Sequence, residues 1–309
     1  WGLIPNLGRL AIAEKIQAYN FPQGVICQLL RDIAARRPGC ITHVGLDTFI
    51  DPQHRGGRLN ESTPPGLVER IELDGQTYLW FKSLPIHVGL IRATAADPLG
   101  NLLMDREAIL GEVLPIAQAA HNRGGLVLAQ VAELREELAN PQHVRVPGIL
   151  VDRIVVAEPH QHEQTFADAY RPEFCAAGEI DLAAMRPLPW SIRRVIAARA
   201  CDELKPGYIV NLGIGMPESI AQIAAERGFL QQLTLTLESG PIGGVPAGGL
   251  NFGVATHPQA VIDQPAQFDF YDGGGLDFAA LGAAQVDQEG NVNVSRFGDR
   301  VAGVGGFVN

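Results

Sequence analysis

The sequence predicts an α/β protein made of duplicated open α/β units with mostly parallel sheets. Apolar strand-like stretches alternate with alanine-rich helical stretches, which is typical of layered α/β folds. Two short motifs also recur after a nearly constant interval, which indicates an internal duplication. The 309 residues suffice for about two domains, each with its own hydrophobic core.

The first half combines helical and strand-like segments. Residues 25–33 predict an amphipathic helix, whose apolar face holds Ile26, Leu29, Leu30 and Ile33. Residues 70–81 alternate around Asp74-Gly75, a dipeptide suited to the positive φ angles of a hairpin turn. Three apolar stretches follow and are predicted as strands: Val88–Ile91, Leu126–Val131 and Ile149–Val156.

The second half begins after a proline-rich connector. Between residues 158 and 189 the periodicity gives way to four prolines and scattered charges. We therefore predict a first half (1–165), a connector (166–190) and a second half (191–309). A helix from Ile192, a strand at 208–214, a helix near Pro217 and a strand at 233–237 follow, and the last three predict one parallel βαβ unit that ends at Glu238.

The recurring motifs lie 190 or 191 positions apart. A G-G-x-L-N at 56–60 and a D-x-x-G-N at 97–101 are matched by G-G-L-N at 248–251 and D-x-x-G-N at 287–291. This period is too long for a solenoid and favours a duplicated unit, with chance recurrence of turn chemistry as the alternative. The same offset pairs Glu238 with Asp47 and Gly240 with Phe49, so we expect Asp47 to be only a structural or loop-capping acid.

Composition excludes several classes of protein. Apolar residues make 46% of the chain, and its 35 glycines and 21 prolines fall short of the fraction that marks low-complexity or collagen sequences. The net charge of −10 provides no general field for DNA or anionic lipid, so we expect no nucleic-acid partner. The longest apolar runs are too short to span a membrane, and the N-terminus lacks a signal pattern. We expect a cytoplasmic protein without a membrane partner.

Metal binding finds little support in the sequence. The four cysteines, Cys27, Cys40, Cys175 and Cys201, show no zinc-site spacing and favour a reducing compartment. His160, His162 and Glu163 form an H-x-H-E cluster, but it lies in the proline-rich segment without further ligands nearby. We therefore predict no metal site, and structural roles for His43 and His257. The 21 arginines, against three lysines, suit phosphate recognition, although no particular arginine can be chosen.

Glu238 is the candidate nucleophile. It stands at the predicted carboxyl end of a strand, where open α/β sheets bind ligands, within the glycine-rich run L-E-S-G-P-I-G-G-V-P-A-G-G at 237–249. A carboxylate there can attack an acyl thioester, and backbone N–H groups near glycines can stabilise the resulting oxyanion. The alternative is a solvated loop carboxylate or the partner of a helix N-cap.

A dinucleotide-binding interpretation is the rival. Gly213 and Gly215 form a G-x-G between a predicted strand and helix, with Glu238 about 20 residues downstream. The third glycine is absent because Glu218 occupies its position, and a carboxylate there disfavours a pyrophosphate. The G-x-G is better explained as a turn that lets another group approach the helix N-terminus.

Four segments of the second half, in this order, resemble the family I coenzyme A transferases. They are the run at 237–249, F-D-F-Y-D-G-G-G-L-D at 268–277, E-G-N-V-N-V-S-R-F-G at 289–298 and G-V-G-G-F at 303–307. N-F-P-Q-G at 20–24 extends the resemblance to the first half. The sequence is most similar to bacterial acetate or short-chain acyl-CoA:carboxylate transferases whose halves are fused, and these carry further segments before Trp1 and after Asn309. We therefore expect both ends to be missing here.

The resemblance implies a role for each matching residue. Glu238 would form the glutamyl-CoA thioester, and Gly305 and Gly306 would contribute backbone amides to the oxyanion hole. Gln23 would orient the glutamate or contact the substrate. CoA would be contacted by Asn211, Gly213, Gly215 and Gly240.

The resemblance also implies the reaction. The enzyme would move CoA between a short-chain acyl-CoA and a free acid such as acetate, propionate or a 3-oxoacid, by ping-pong kinetics. CoA is then a substrate, no cofactor is required, and a homo-oligomer is expected. Two alternatives remain open: an acyl-CoA hydrolase, and a nucleotide- or effector-binding module in which Glu238 only contacts a ligand.

Overall fold

The structure is a computed structural model that describes residues 4–182, 185, 187–298 and 300–309. The first three residues of the predicted first half, and residues 183, 184 and 186 of the predicted connector, lie outside this part. Among the described residues, no helix has both the length and the apolar character that crossing a bilayer requires.

The helices, in chain order, are α1 (Pro5–Ile12), α2 (Gln23–Ala34), α3 (Val113–His121), α4 (Ile192–Cys201), α5 (Ser219–Glu226) and α6 (Gln264–Asp272). The strands of the first half are β1 (Gly39–Thr42), β2 (Val68–Leu73), β3 (Gln76–Lys82), β4 (Val88–Ala96), β5 (Leu102–Leu103), β6 (Leu126–Leu134), β7 (Val144–Val146) and β8 (Arg153–Val156). Those of the second half are β9 (Ile209–Leu212), β10 (Thr234–Thr236), β11 (Pro241–Ile242), β12 (Val245–Pro246), β13 (Ala255–Thr256), β14 (Ala260–Val261), β15 (Phe278–Ala280), β16 (Gln285–Val286), β17 (Val292–Asn293), β18 (Arg296–Phe297) and β19 (Arg300–Val301).

The chain folds into two compact units that do not coincide with the predicted halves. Unit 1 combines Trp1–Pro85 with Ala283–Asn309, and unit 2 is the continuous stretch Ile86–Gly282. The predicted connector at 166–190 separates the two halves of a duplicated sequence, whereas the two units are defined by how the chain packs. The predicted division therefore stays a prediction. In the described part of the proline-rich stretch 158–189, the regular structure consists of short 3₁₀ turns such as Pro159–Gln161 and Pro172–Phe174, which agrees with its prolines.

Unit 1 contains an antiparallel sheet in the order β1-β3-β2, with α2 lying against β1. The predicted hairpin is confirmed: Asp74 and Gly75 join β2 to β3 with φ angles of 51° and 73°. The helix at 23–34 is also confirmed, but its buried stripe is Val25, Leu29 and Ile33, whereas Ile26 is exposed. The expectation was wrong for Ile26, whose place on the buried face is taken by Val25, because both residues fit a helical stripe with Leu29 and Ile33.

Unit 2 contains two five-stranded mixed sheets. In the order β7-β5-β4-β6-β8, strands β4, β6 and β8 are parallel, and in the order β14-β11-β10-β9-β15, strands β10, β9 and β15 are parallel. On one side, each parallel trio continues into two more strands through antiparallel pairings. The predicted α/β class and the parallel unit β9-α5-β10 are therefore confirmed.

The D-x-x-G-N motifs form the same turn in each unit. Asp97 Oδ1 accepts from the Leu99 and Asn101 amides, each at 2.9 Å, and its Oδ2 accepts from Asn101 Nδ2 at 3.0 Å. Asp287 repeats this pattern with the amides of residues 289 and 291, at 3.0 and 2.8 Å. Both turns join antiparallel strands, so the motif encodes a hairpin connection.

Positions 191 residues apart do not have the same secondary structure throughout the chain. Residues 68–82 form the β2-β3 hairpin, whereas the positions 191 further on, 259–273, hold α6. The carboxylate that caps the loop around Asp47 belongs to Asp51. The Asp47 side chain is 86% exposed, and its backbone N–H donates to Asp51 Oδ2 at 3.0 Å. Asp51 is fully buried and also accepts from the Gln53 amide and from Arg70 Nη1 at 2.6 Å.

Replacing Asp51 by Asn should lower the free energy of unfolding by about 2–3 kcal/mol, because a buried ion pair and two loop hydrogen bonds are lost or weakened. Urea unfolding followed by the fluorescence of Trp80, which lies in β3 of the same unit, measures the change. Asp47→Asn is the matched control and should shift stability by less than about 0.5 kcal/mol. Equal losses in the two variants would contradict the assignment of Asp51 as the capping acid.

Candidate active site

Glu238 lies two residues after the end of β10, at the second position of a tight turn. The Gly240 amide donates to the Leu237 carbonyl, and the Leu237 amide donates to the Pro241 carbonyl, each at 3.0 Å. Between them the Ser239 hydroxyl donates to the Gly253 carbonyl. The turn therefore reverses the chain from β10 into the antiparallel β11 and leaves the glutamate at the carboxyl end of a parallel strand, as the sequence predicts.

Gly240 satisfies a local steric requirement of this turn. Its φ angle is +123°, and a Cβ placed there would lie 2.1 Å from the Ile262 carbonyl oxygen. Its own carbonyl accepts from the Ile262 amide at 3.1 Å, so both of its backbone hydrogen-bonding groups are engaged. The fold thus demands glycine at this position whether or not CoA contacts it, and its role in CoA binding stays a prediction.

The Glu238 carboxyl is partly buried. Desolvation raises its pKa above the ordinary value of 4.5, because burial penalises the charged form. A carboxylate that has lost part of its hydration at a ligand-binding edge of a sheet is a candidate nucleophile or acid–base group.

A hydrogen-bond network lies immediately before Glu238. Asn211 in β9 pairs across the sheet with Thr236 in β10, and its Nδ2 donates to the Thr236 carbonyl at 3.3 Å and to the Tyr271 hydroxyl at 3.2 Å. Tyr271, from α6, donates to Thr236 Oγ1 at 2.8 Å. Burial raises the pKa of the Tyr271 phenol, and the charge of nearby Glu238 adds to the rise. The sequence motifs include Tyr271, but no periodicity or spacing singled it out.

Gly213 and Gly215 form the connection from β9 to α5. The Gly213 amide donates to the Ala280 carbonyl at 2.8 Å, and Gly215 has a φ angle of +87° with open space where a Cβ would point. Glu218 occupies the N-cap position of α5, with Oε1 buried and without a hydrogen-bond partner among the described residues. A carboxylate at this helix N-terminus leaves no place for a pyrophosphate, which argues against the dinucleotide interpretation.

Gln23, Gly305 and Gly306 lie in unit 1. Gln23 is the first residue of α2, and its amide donates to the Gly305 carbonyl at 2.9 Å, while the next amide, of Gly24, donates to Asn309 Oδ1 at 3.1 Å. Gly305 has a φ angle of +55°. Within the residues that the structure describes, neither the Gly305 nor the Gly306 amide donates a hydrogen bond, so both donors are available to a ligand.

The H-x-H-E segment does not converge on a single point. His162 is buried, with Nε2 3.2 Å from Glu107 Oε1 and Nδ1 3.2 Å from Gln130 Nε2, and burial lowers its pKa. The backbone carbonyl of Glu163 accepts from Arg92. The His257 Nδ1 lies 3.2 Å from the Ala176 carbonyl, which fits a structural role.

The arginines beside His162 are already paired. Arg92 lies 3.1 Å from Glu107, and Arg106 lies 2.8 Å from Glu133. Both line a cavity of about 320 Å³. Because each positive charge has its own carboxylate, this cavity has no excess cationic field for a phosphate.

Replacing Glu238 by Gln should stabilise the folded protein, and the gain should depend on pH. The raised pKa means that the stability contributed by the protonated carboxyl is fully present below pH 4.5 and is lost as the pH rises through the folded-state pKa. The Tm of Glu238→Gln should therefore exceed that of the unmodified protein at neutral pH and match it below 4.5. Glu137→Gln, at an exposed position, is the control. A lower Tm for Glu238→Gln at neutral pH would contradict the prediction.

Comparison with known proteins places these features in a family. The family model described as coenzyme A transferase matches residues 3–157. The caffeate CoA-transferase of Acetobacterium woodii is 45% identical over 97% of this chain and 59% of its own length. The acetate CoA-transferase YdiF of Escherichia coli K12 is 41% identical over the whole of this chain and 58% of its own length.

A solved structure shows the same fold. The crystal structure of the acyl-CoA transferase YdiF from Escherichia coli O157:H7, a thioester complex with CoA, has a TM-score of 0.91 and 38% identity, and the match covers all of this chain and 57% of that one. The chain thus spans less than three-fifths of the length of these relatives. The resemblance inferred from the motifs is confirmed, and the chain belongs to the coenzyme A transferase family.

Proposed function

We propose that the protein containing this chain transfers CoA from a short-chain acyl-CoA to a free carboxylic acid through a glutamyl-CoA thioester at Glu238. The observation that carries the proposal is the position of this carboxyl: partly buried, at the carboxyl end of a parallel strand, with a pKa raised by desolvation. Family membership supports the same class of reaction.

The reaction proceeds by four exchanges at carbonyl carbons. The Glu238 carboxylate attacks the acyl-CoA carbonyl, the C–S bond breaks, and CoA leaves as thiolate from a mixed anhydride. The thiolate attacks the glutamyl carbonyl and releases the first acid, which leaves the enzyme thioester. The second acid attacks this thioester to give a new anhydride and thiolate. The thiolate finally attacks the new acyl carbonyl, which gives the new acyl-CoA and restores the Glu238 carboxylate.

Each exchange passes through an oxyanion and an intermediate that water can destroy. The unengaged amides of Gly305 and Gly306 are donors of the kind that stabilise such an oxyanion, an effect worth about 3–4 kcal/mol per donor. Partial burial of Glu238 limits access of water to the anhydride and the thioester. The exchanges balance in atoms and electrons, so CoA acts as a substrate and the scheme requires no redox cofactor.

The relatives guide the choice of substrates. One is named for caffeate and another for acetate, and the solved YdiF structure is a thioester complex with CoA. We propose acetate, propionate or a 3-oxoacid as acceptor, and a homo-oligomeric enzyme, for the protein containing this chain.

The covalent intermediate can be tested by intact-protein mass spectrometry. Full-length protein incubated with acetyl-CoA should gain the mass of CoA less one water, because a Glu238 oxygen leaves with the released acetate. Borohydride or hydroxylamine should trap the adduct at Glu238. Glu238→Gln should abolish the adduct and lower the transfer rate by at least about a thousandfold. Asp47→Asn, at the position that the sequence offset pairs with Glu238, should retain both. A fully active Glu238→Gln enzyme would exclude the mechanism.

The kinetic order gives a separate test. Because CoA rests on the enzyme while one acid leaves and another enters, double-reciprocal plots at several acceptor concentrations should be parallel. Intersecting lines would indicate a ternary complex instead. Release of free CoA in step with acid, measured with a thiol reagent, would favour the hydrolase.

A further inference from the structure

Tyr271 connects helix α6 to the two strands that precede the Glu238 turn. Its hydroxyl lies 2.8 Å from Thr236 Oγ1 and 3.2 Å from Asn211 Nδ2. The remaining bonds run from Thr236 Oγ1 to the Val210 carbonyl at 3.2 Å and from Asn211 Nδ2 to the Thr236 carbonyl at 3.3 Å. The four bonds link α6 to the ends of β9 and β10.

Hydrogen-bond chemistry fixes the direction of every bond in this network. The Val210 carbonyl can only accept, so the Thr236 hydroxyl donates its single proton there. Thr236 Oγ1 must then accept from the Tyr271 hydroxyl, which has no second proton to donate. The Tyr271 oxygen must in turn accept from Asn211.

The orientation of the Asn211 amide follows. Both Nδ2 protons are engaged, one by the Thr236 carbonyl and one by the Tyr271 oxygen. A flipped amide would set Oδ1 against the Thr236 carbonyl, and two acceptors repel each other. Among the residues that the structure describes, none donates a hydrogen bond to Oδ1. The atom is not fully buried, so a ligand can reach it. Asn211 therefore offers a ligand an acceptor only.

The position of Asn211 limits which part of an acyl-CoA can reach that acceptor. Asn211 pairs with Thr236, two residues before Glu238. Paired strands lie about 5 Å apart and two residues of strand add about 7 Å, so Asn211 and Glu238 are close neighbours. In CoA, the first pantetheine amide N–H is separated from the sulfur by only two methylene groups, whereas the phosphates are distant and carry no proton to donate at neutral pH.

We propose that Tyr271 is a positioning residue for the transferase, which holds the Asn211 amide so that its Oδ1 accepts the first pantetheine N–H of the CoA substrate. This inference rests on the proposed function, because it requires CoA to be anchored beside Glu238. Burial raises the pKa of the Tyr271 phenol above its ordinary value of 10.0, so the hydroxyl keeps its proton at neutral pH.

Steady-state kinetics of the full-length enzyme test the proposal with Tyr271→Phe, Asn211→Ala and the double variant. Tyr271→Phe should raise the KM for acetyl-CoA about 3- to 10-fold, the size of one lost hydrogen bond, with a smaller change in kcat and none in the KM for acceptor acid. The double variant should be no weaker than Asn211→Ala alone, because Tyr271 acts through Asn211. Tyr208→Phe, in the same unit, is the control and should match the unmodified enzyme.

Two further measurements keep the test decisive. The rise in KM caused by Tyr271→Phe should persist when S-acetylpantetheine, which lacks the nucleotide, replaces acetyl-CoA as donor. An unchanged KM for S-acetylpantetheine would overturn the inference. Thr236→Val, which removes the hydroxyl that orients Tyr271, should raise the KM for acetyl-CoA in the same direction if Tyr271→Phe folds poorly. The inference would also be overturned if the effects of the two single substitutions multiplied in the double variant, or if Tyr271→Phe left the KM for acetyl-CoA unchanged.

Failure of the proposed function can be told apart from failure of the positioning role. If Glu238→Gln is inactive while Tyr271→Phe behaves as the unmodified enzyme, only the positioning role is wrong. If Glu238→Gln retains full transfer, the covalent mechanism itself is wrong, whatever Tyr271→Phe shows.

Discussion

The candidate site depends on the parallel pairing of β9 with β10. That pairing sets Asn211 opposite Thr236. It also brings the β9-α5 connection and the Glu238 turn together at the carboxyl ends of the two strands. The pairing between the two strands stops at Asn211 and Thr236, so side chains and turn backbone satisfy the polar groups beyond this point. The steric contact between Gly240 and Ile262 then fixes how sharply the chain leaves β10.

Much of the local structure could be predicted because it is encoded by neighbouring residues. Asp74 and Gly75 both adopt the left-handed conformation that this turn requires. The alternation of Leu233, Leu235 and Leu237 correctly indicates a strand here, although β10 ends at Thr236, two residues before Glu238. Thr236 is buried too, however, so this strand is covered on both faces rather than half-buried.

What the sequence could not predict depends on contacts between distant segments. The division into compact units joins residues 283–309 to the first 85, which no composition change marks. Asp51, which caps the loop around Asp47, is buried together with its ion pair to Arg70, 19 positions away. Tyr271 reaches Asn211 across 60 positions, and nothing in the spacing of the two residues reveals this contact.

The capping of α2 has a consequence for the order in which the chain folds. The Gly24 amide is satisfied by Asn309, 285 positions later, and Val304 binds Asn20 across a similar distance. Such contacts form late because a long loop must close first. At ribosomal rates of about 5–20 residues per second, roughly 15–60 s separate the synthesis of the two partners. Unit 2 is continuous and can fold within that interval, whereas unit 1 cannot be completed until residues 283–309 have been synthesised.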